Sequence, residues 1–317
     1  MKILITGGNG FVGSRLALTA QHQGMDVLTQ VRSGAVSNNQ IEIKDISPDT
    51  DWGDCLQGVD VIVHCAARVH QMNDDQDDAL ESYRRVNTEG TLRLAQQAAD
   101  VGVKRFVFLS TIKVNGEFTE KGKPFTPNVV TAPKDPYGLS KYEAEQRLTL
   151  LAKETGLEVV IIRPPLVYGE GVKANFLSMI NIVRKGLPLP FGAIKNQRSL
   201  VYLDNLISLI LACCKHPKAA GKVFLVSDNH DVSTSLLFRQ VAASLGKPNR
   251  LIPVPQWLLE LVATLLGRRD IAQRLCGNLQ VDVSDTIRAL GWQPPYTFKQ
   301  GIENTVTAYK EALSESQ

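Results

Sequence analysis

The sequence predicts an α/β architecture, a doubly wound parallel sheet followed by a smaller mixed lobe, and three observations carry that expectation. Short β-branched runs alternate with longer helical patterns from the first residue onward, the rhythm of βαβ units whose sheet is covered on both faces. A glycine-punctuated turn follows the first run and opens the first helical pattern. After about Gly169 the rhythm changes to Pro- and Gly-rich punctuation, as in Gly186-Leu187-Pro188-Leu189-Pro190 and Ile252-Pro253-Val254-Pro255.

In chain order, the candidate strands are residues 2–6, 26–31, 41–43, 59–64, 105–110, 158–162 and 223–226. The candidate helices are 11–23, 79–101, 137–155 and 206–215. Gly24 and Gly102 follow two of them, where a left-handed terminating residue is expected. Residues 1–169, joined by roughly 197–228, are expected to form the sheet domain, with 170–196 and 229–317 as the second lobe.

Composition narrows the function classes. The 35 basic and 32 acidic residues leave a net charge of only +3, with no dense Lys/Arg tract to follow a phosphate backbone, so no nucleic-acid partner is expected. The five cysteines form no CxxC pair and have no histidine at zinc-ligand spacing, so reduced thiols and no metal are expected. The N-terminus reaches Gly7 after one short strand and lacks a signal peptide's apolar core. The longest apolar stretch, 257–266, contains Glu260 and has about half the ~20 residues that span a bilayer. A cytoplasmic protein without stable membrane insertion is the expectation, with an interfacial helix ending at Arg268 and Arg269 as the lesser reading. The acidic cluster Asp74, Asp75, Asp77, Asp78 and Glu81 reads as a solvated loop and helix start.

The first strand runs into Thr6-Gly7-Gly8-Asn9-Gly10-Phe11-Val12-Gly13-Ser14. Gly7, Gly10 and Gly13 permit a tight turn, close backbone approach to a pyrophosphate and close packing of helix on strand, while the helix N-terminus offers unpaired N–H groups to the anion. Gly7, Gly10, Phe11, Val12 and Gly13 are therefore candidate contacts for a dinucleotide cofactor. An acidic residue about ~20 positions past the glycines ordinarily holds the adenosine 2′-hydroxyl. Here the second strand ends in Gln30-Val31-Arg32-Ser33, without a carboxylate. Arg32 can pair instead with a 2′-phosphate, with Ser33 as a second donor, which favours NADP(H) over NAD(H).

Further on, the fifth strand ends in Ser110-Thr111, and a later segment reads Tyr137-Gly138-Leu139-Ser140-Lys141. Residues four apart at a helix start face the same way. A phenol near its free pKa of about 10 is a poor acid–base catalyst at neutrality, and a neighbouring ammonium lowers it. Lys141 is expected to supply that charge to Tyr137, with the Thr111 hydroxyl fixing the reacting oxygen.

With these motifs in place, the sequence resembles the extended short-chain dehydrogenase/reductase family, the NAD-dependent epimerases and dehydratases, over essentially its whole length. The resemblance implies a Rossmann sheet with Thr111, Tyr137 and Lys141 as the catalytic set. It further implies Asp45-Ile46 at the adenine, His64-Cys65-Ala66-Ala67 lining the cofactor, Ser110 and Pro164 beside it, and Asn87 as the family's structural asparagine. Within the family the nucleotide-sugar branch is most similar. That likeness makes Asn175 and Arg198 candidate contacts for the base and pyrophosphate of a UDP-linked substrate, since a diphosphate rewards the guanidinium fork. Relatives that epimerise UDP-galactose often have Val-Tyr-Gly where this chain has Val114-Asn115-Gly116, and an asparagine at Leu166, so Asn115 is a substrate-side candidate in an altered sugar pocket. The resemblance also implies a homodimer, formed through the helices at 79–101 and 137–155. A reductase of a UDP-4-keto-6-deoxy-N-acetylhexosamine in surface-polysaccharide synthesis is the preferred reading, because a reductase draws on NADPH. A 4-epimerase of a UDP-hexose or UDP-N-acetylhexosamine is the alternative, and a non-catalytic dinucleotide sensor the remote one.

Overall fold

A computed structural model describes residues 1–69 and 76–315. Seven parallel strands form the central sheet: β1 (Lys2–Thr6), β2 (Asp26–Val31), β3 (Gln40–Glu42), β4 (Val61–His64), β5 (Arg105–Leu109), β6 (Glu158–Arg163) and, after two short strands, β9 (Val223–Leu225). Those two, β7 (Leu166–Tyr168) and β8 (Leu200–Tyr202), pair in a small parallel sheet of their own. The large sheet has the order β3-β2-β1-β4-β5-β6-β9. Strand order therefore reverses beside β1, and an open α/β sheet holds its ligand in the crevice at such a switch point. Thr6 and His64 close the β1–β4 register at that end.

The helices follow in order: α1 (Phe11–His22), α2 (Gln76–Tyr83), α3 (Thr91–Asp100), α4 (Pro136–Thr155), α5 (Ala174–Arg184) and α6 (Leu203–Lys215) precede β9. After it come α7 (Thr234–Ser244), α8 (Gln256–Leu265), α9 (Arg269–Cys276), α10 (Ser284–Leu290) and α11 (Phe298–Glu315). Side chains alternate across each strand, so the sheet feeds two cores. Ile3 and Ile5 join Leu16, Ala20, Leu206 and Ile210 under α1 and α6. Leu4, between them, joins Leu94, Ala98, Ala144 and Leu148 under α3 and α4. A third cluster, including Phe176, Ile180, Val241 and Ile302, forms around α5, α7 and α11.

The seven main strands fall within one or two residues of expectation. The helix expected over 79–101 does not run unbroken: a π-helical turn at Arg84–Gly90 separates α2 from α3. Apolar periodicity does not register one extra residue in a single turn, and the cause is local and polar. The wide turn carries Asn87 and Thr88, both buried, whose side chains bond α4 at Ser140. Gly90 closes the turn where a Cβ would lie 2.7 Å from the Ile46 side chain. Of the acidic cluster, Asp74 and Asp75 lie outside the described residues. Among the described residues no helix is long and apolar enough to cross a membrane.

Candidate active site

The turn after β1 is fixed by contacts that leave no room for side chains. Gly7 has φ +69, and a Cβ there would meet Ala66 N at 3.0 Å. A Cβ on Gly13 would lie 2.2 Å from the Gly7 carbonyl oxygen, and one on Gly8 2.8 Å from Thr29 Cβ. The N-cap of α1 is Gly10, which supplies no side-chain cap. The first-turn N–H groups, at Phe11, Val12 and Gly13, are thus left without a capping side chain, as an anion site requires. Gln30, unremarked in the sequence, locks the turn: its Oε1 accepts from Gly7 N at 3.0 Å and its Nε2 donates to Ile43 O at 2.7 Å. A long amide at the buried end of β2, next to Thr29, was the available signal.

From this turn a cleft of about 380 Å³ runs along the strand ends. Gly7, Gly10, Arg32, Asp45, Ile46, Cys65, Ala66 and Ala67 line it. Two cations that the sequence reading passed over, Lys44 and Arg68, line it as well. Lys44 directly precedes Asp45-Ile46 and could have been found by that adjacency. Ser33 is exposed beside Arg32. Asn87 does not reach into the cleft directly; its amide clasps the Arg68 backbone, accepting from N at 2.8 Å and donating to O at 3.1 Å, and donates to Ser140 Oγ at 3.1 Å.

His64 is buried and clamped between two hydroxyls, Thr6 Oγ1 at 2.8 Å from Nδ1 and Thr91 Oγ1 at 3.0 Å from Nε2. Burial first, and then the Lys141 charge, push its pKa down to about 3, so it is neutral scaffolding.

Asp135 caps α4, accepting from Gly138 N at 2.7 Å, with Pro136 in the first turn. This cap places Tyr137 and Lys141 one turn apart. The Lys141 side chain, 1% exposed, carries Nζ 3.8 Å above the centroid of Phe108 on β5. Burial lowers its pKa to about 7, opposed by Glu145 and Cys65. The Tyr137 ring meets Tyr83 edge-on, centroids 6.0 Å apart. Burial, reinforced by Asp135 and Tyr83, pushes the phenol up to about 12. This departs from the expectation that Lys141 lowers it: in this arrangement the ammonium lies over Phe108 while the phenol feels mainly desolvation and a carboxylate.

Ser110 and Thr111 turn in different directions. The Ser110 hydroxyl donates to the Glu145 carboxylate, which also forms a buried ion pair with Arg163. Thr111 caps the short turn 112–114, accepting from Lys113 N at 3.3 Å. Pro164 is tied to the same turn, its carbonyl accepting from Ile112 N at 3.0 Å. Glu145 was missed by sequence reading, although it stands four residues past Lys141 on the same helix face.

The substrate-side candidates are arranged less uniformly. Both ends of the Asn115 amide are engaged: Oδ1 accepts from Arg163 at 3.0 Å, and Nδ2 donates to Thr126 O at 2.7 Å. Asn115 thereby shapes the loop after β5. Asn175 is exposed in the first turn of α5, next to Ala174 with φ 52. Arg198 donates from Nη1 to Arg274 O at 2.8 Å and Gly277 O at 3.3 Å, and burial lowers its pKa. The structure thus gathers Cys65, Ser110, Thr111, Lys141 and Pro164 at the sheet end, and sets Asn175 and Arg198 in segments beyond it.

Residues 3–227 match the NAD dependent epimerase/dehydratase family. The chain is 50% identical over 315 residues to the UDP-glucose 4-epimerase of Vibrio cholerae, covering 98% of this chain and 96% of that one. It is 26% identical over 319 residues to the N-acetyl-alpha-D-glucosaminyl-diphospho-ditrans,octacis-undecaprenol 4-epimerase of Escherichia coli O157:H7, covering 96% and 94%. The structure of UDP-glucuronic acid 4-epimerase from Bacillus cereus in complex with NAD superposes with a TM-score of 0.78 over 99% of this chain and 98% of that one, at 21% identity. A glycine turn that admits no Cβ, a cleft at the strand-order reversal and a Tyr/Lys pair on α4 converge with these similarities on one assignment: the chain is an enzyme of the NAD dependent epimerase/dehydratase family.

Proposed function

We propose that this enzyme is a nucleotide-sugar 4-epimerase, acting on a UDP-linked hexose or N-acetylhexosamine with a tightly held nicotinamide dinucleotide. The observation that carries this reading is the 50% identity to a UDP-glucose 4-epimerase across nearly the full length of both chains. It displaces the 4-keto reductase that the expected NADP preference at Arg32 had favoured. A cofactor kept through a cycle of oxidation and re-reduction is indifferent to the cell's supply of NADPH, so a basic cleft is compatible with an epimerase. Extra phosphate contacts would aid retention.

The cleft fits such a cofactor. Gly7, Gly10 and the start of α1 would hold the pyrophosphate; Asp45 and Ile46 would face the adenosine; Arg32 and Lys44 would favour a 2′-phosphate and hence NADP(H). When bound, the nicotinamide supplies a hydride acceptor and donor. Tyr137 exchanges the proton of the sugar's C4 hydroxyl oxygen, and Thr111 hydrogen-bonds the same oxygen. Residues 170–196 and 229–317 form the substrate lobe in this reading, with Asn175 toward the base and Arg198 toward the diphosphate. A homodimer through the outer faces of α2, α3 and α4 completes the proposal.

One observation favours the reductase as a second reading: β2 ends without a carboxylate and Arg32 lines the cleft in its place, which suits NADPH. In that reading the protonated Tyr137 phenol donates to a carbonyl oxygen. Epimerisation begins with the opposite transfer and needs positive charge brought to the phenol, for which Lys141 is placed on the same helix face. The test is to incubate the purified enzyme with UDP-glucose and with UDP-N-acetylglucosamine, separating C4 epimers by chromatography while following nicotinamide absorbance. Interconversion to a fixed ratio without net cofactor change is expected. No interconversion, together with stoichiometric NADPH oxidation by a UDP-4-keto-6-deoxy-N-acetylhexosamine, would establish the reductase instead.

A further inference from the structure

Helix α8 breaks the rule that an apolar helix is buried. Seven of its ten residues are apolar, yet none is buried. By contrast α6, of similar character, buries nine of its thirteen. Trp257 is 65% exposed, Leu265 77% and Leu266 70%. At 100° per residue the exposed side chains are not scattered. Trp257, Leu261 and Leu265 form one stripe, and Val262 and Leu266 lie on the stripe beside it. The polar residues Gln256, Glu260 and Thr264 form the stripe on the other flank of Trp257, Leu261 and Leu265, where Gln256 Nε2 donates to Glu260 Oε1 at 2.8 Å. Ile252 before the helix and Ile271 on α9 extend the apolar surface, each about half exposed.

Positive charge predominates around this surface. Arg268 and Arg269 follow the helix directly, and Lys247, Arg250 and Arg274 are also exposed. Residues 247–274 hold five basic side chains against two acidic ones, Glu260 and Asp270, an excess equal to that of the whole chain at +3. A bulky apolar stripe with an aromatic residue, bordered by arginines, matches the boundary between acyl chains and anionic headgroups. Ten residues rise only about 15 Å, half a hydrocarbon core, so the helix would lie in the plane of the surface.

We propose that α8 and the start of α9 are a peripheral membrane-docking surface, seating Trp257, Leu261 and Leu265 at the acyl boundary and Arg268 and Arg269 among anionic lipid headgroups. The proposal is independent of the sugar chemistry. It ties the enzyme to a lipid surface through a segment that none of the catalytic candidates occupies.

The experiment is sedimentation of the full-length protein with vesicles of phosphatidylglycerol and phosphatidylcholine, and with phosphatidylcholine alone, at low and high salt. Tryptophan emission is followed alongside; Trp52 and Trp292 are buried, so a blue shift on vesicles reports Trp257. Partition to the anionic vesicles, a blue shift and weakening by salt are expected. The triple substitution Trp257→Ser, Leu261→Ser, Leu265→Ser should lower partition by about tenfold or more with Tm retained, since the side chains are exposed. The pair Arg268→Glu, Arg269→Glu should abolish the preference for anionic vesicles. Absence of partition to either vesicle overturns the proposal. So does self-association in sedimentation equilibrium that the triple substitution abolishes without any vesicle binding, which would make a second copy the occupant of this face.

Discussion

The cofactor end of the sheet and the segments carrying the substrate-side candidates solve opposite problems. At the sheet end almost every functional group is held from behind by a buried partner: Gly7 by Gln30, Ser110 by Glu145, the Arg68 backbone by Asn87. On the other side Asn175 is exposed and Arg198 donates to the Arg274 and Gly277 carbonyls. Under the proposed function, the contrast puts the chemistry in a preorganised scaffold and leaves substrate selection to groups such as Asn175 that can be changed without disturbing it.

The comparison breaks most decisively at Tyr137. Tyr137→Phe should lower kcat by roughly 10²- to 10⁴-fold, the range for a lost general acid or base, while cofactor titrations stay near wild type. A near-normal kcat would assign the proton to another group. Next comes the scaffold itself: Glu145→Ala strands Arg163 without its carboxylate, and losing one partner of a buried pair costs about 3–5 kcal/mol. Urea unfolding measures it, and a loss below about 1 kcal/mol would show that the network is not holding the strand end.

His64 sharpens the same point through pH. Its folded pKa of about 3 lies below the ordinary 6.5, so its contribution is fully present above 6.5 and is lost as pH falls toward 3. In that window the unfolded chain binds one more proton, a slope of up to about 1.4 kcal/mol per pH unit. A His64→Gln variant should flatten the acid limb of stability against pH; an unchanged slope would mean that other groups dominate it.

On the substrate side the effects are smaller and kinetic. Arg198→Ala should raise KM for the nucleotide sugar by about tenfold or more with a lesser fall in kcat, as for a diphosphate contact alike in ground and transition states. An unchanged KM would confine Arg198 to holding Arg274 and Gly277. The smallest expected change is a shift of preference. Arg32→Asp should narrow or reverse the advantage of NADPH over NADH in binding titrations, and equal wild-type affinities would remove the premise.

What the sequence disclosed follows the same division. The strand positions and the phosphate turn depend on backbone needs that leave glycines and β-branched runs behind, so they were legible. Glu145, Gln30 and Lys44 act through partners distant in sequence, for which no local pattern exists. Asn115 was legible as a departure from relatives, but its engagement by Arg163 and Thr126 is a tertiary fact. The Tyr137–Lys141 spacing was read correctly as one face of a helix, yet spacing carries no information about desolvation. That is why the direction of the phenol shift was missed.

The π-helical turn at Arg84–Gly90 has a consequence for how this site could have arisen. Such a turn is one residue inserted into an α-helix. Removing one residue from it would restore regular winding and leave α3 in place, with Leu94, Ala95 and Ala98 still packed on the sheet. What would be lost is the local geometry that presents Asn87 to the Arg68 backbone and to Ser140. Packing of the sheet face and alignment of the Arg68 loop with the helix bearing Lys141 are therefore separable, and a single-codon deletion here would forfeit the second while sparing the first.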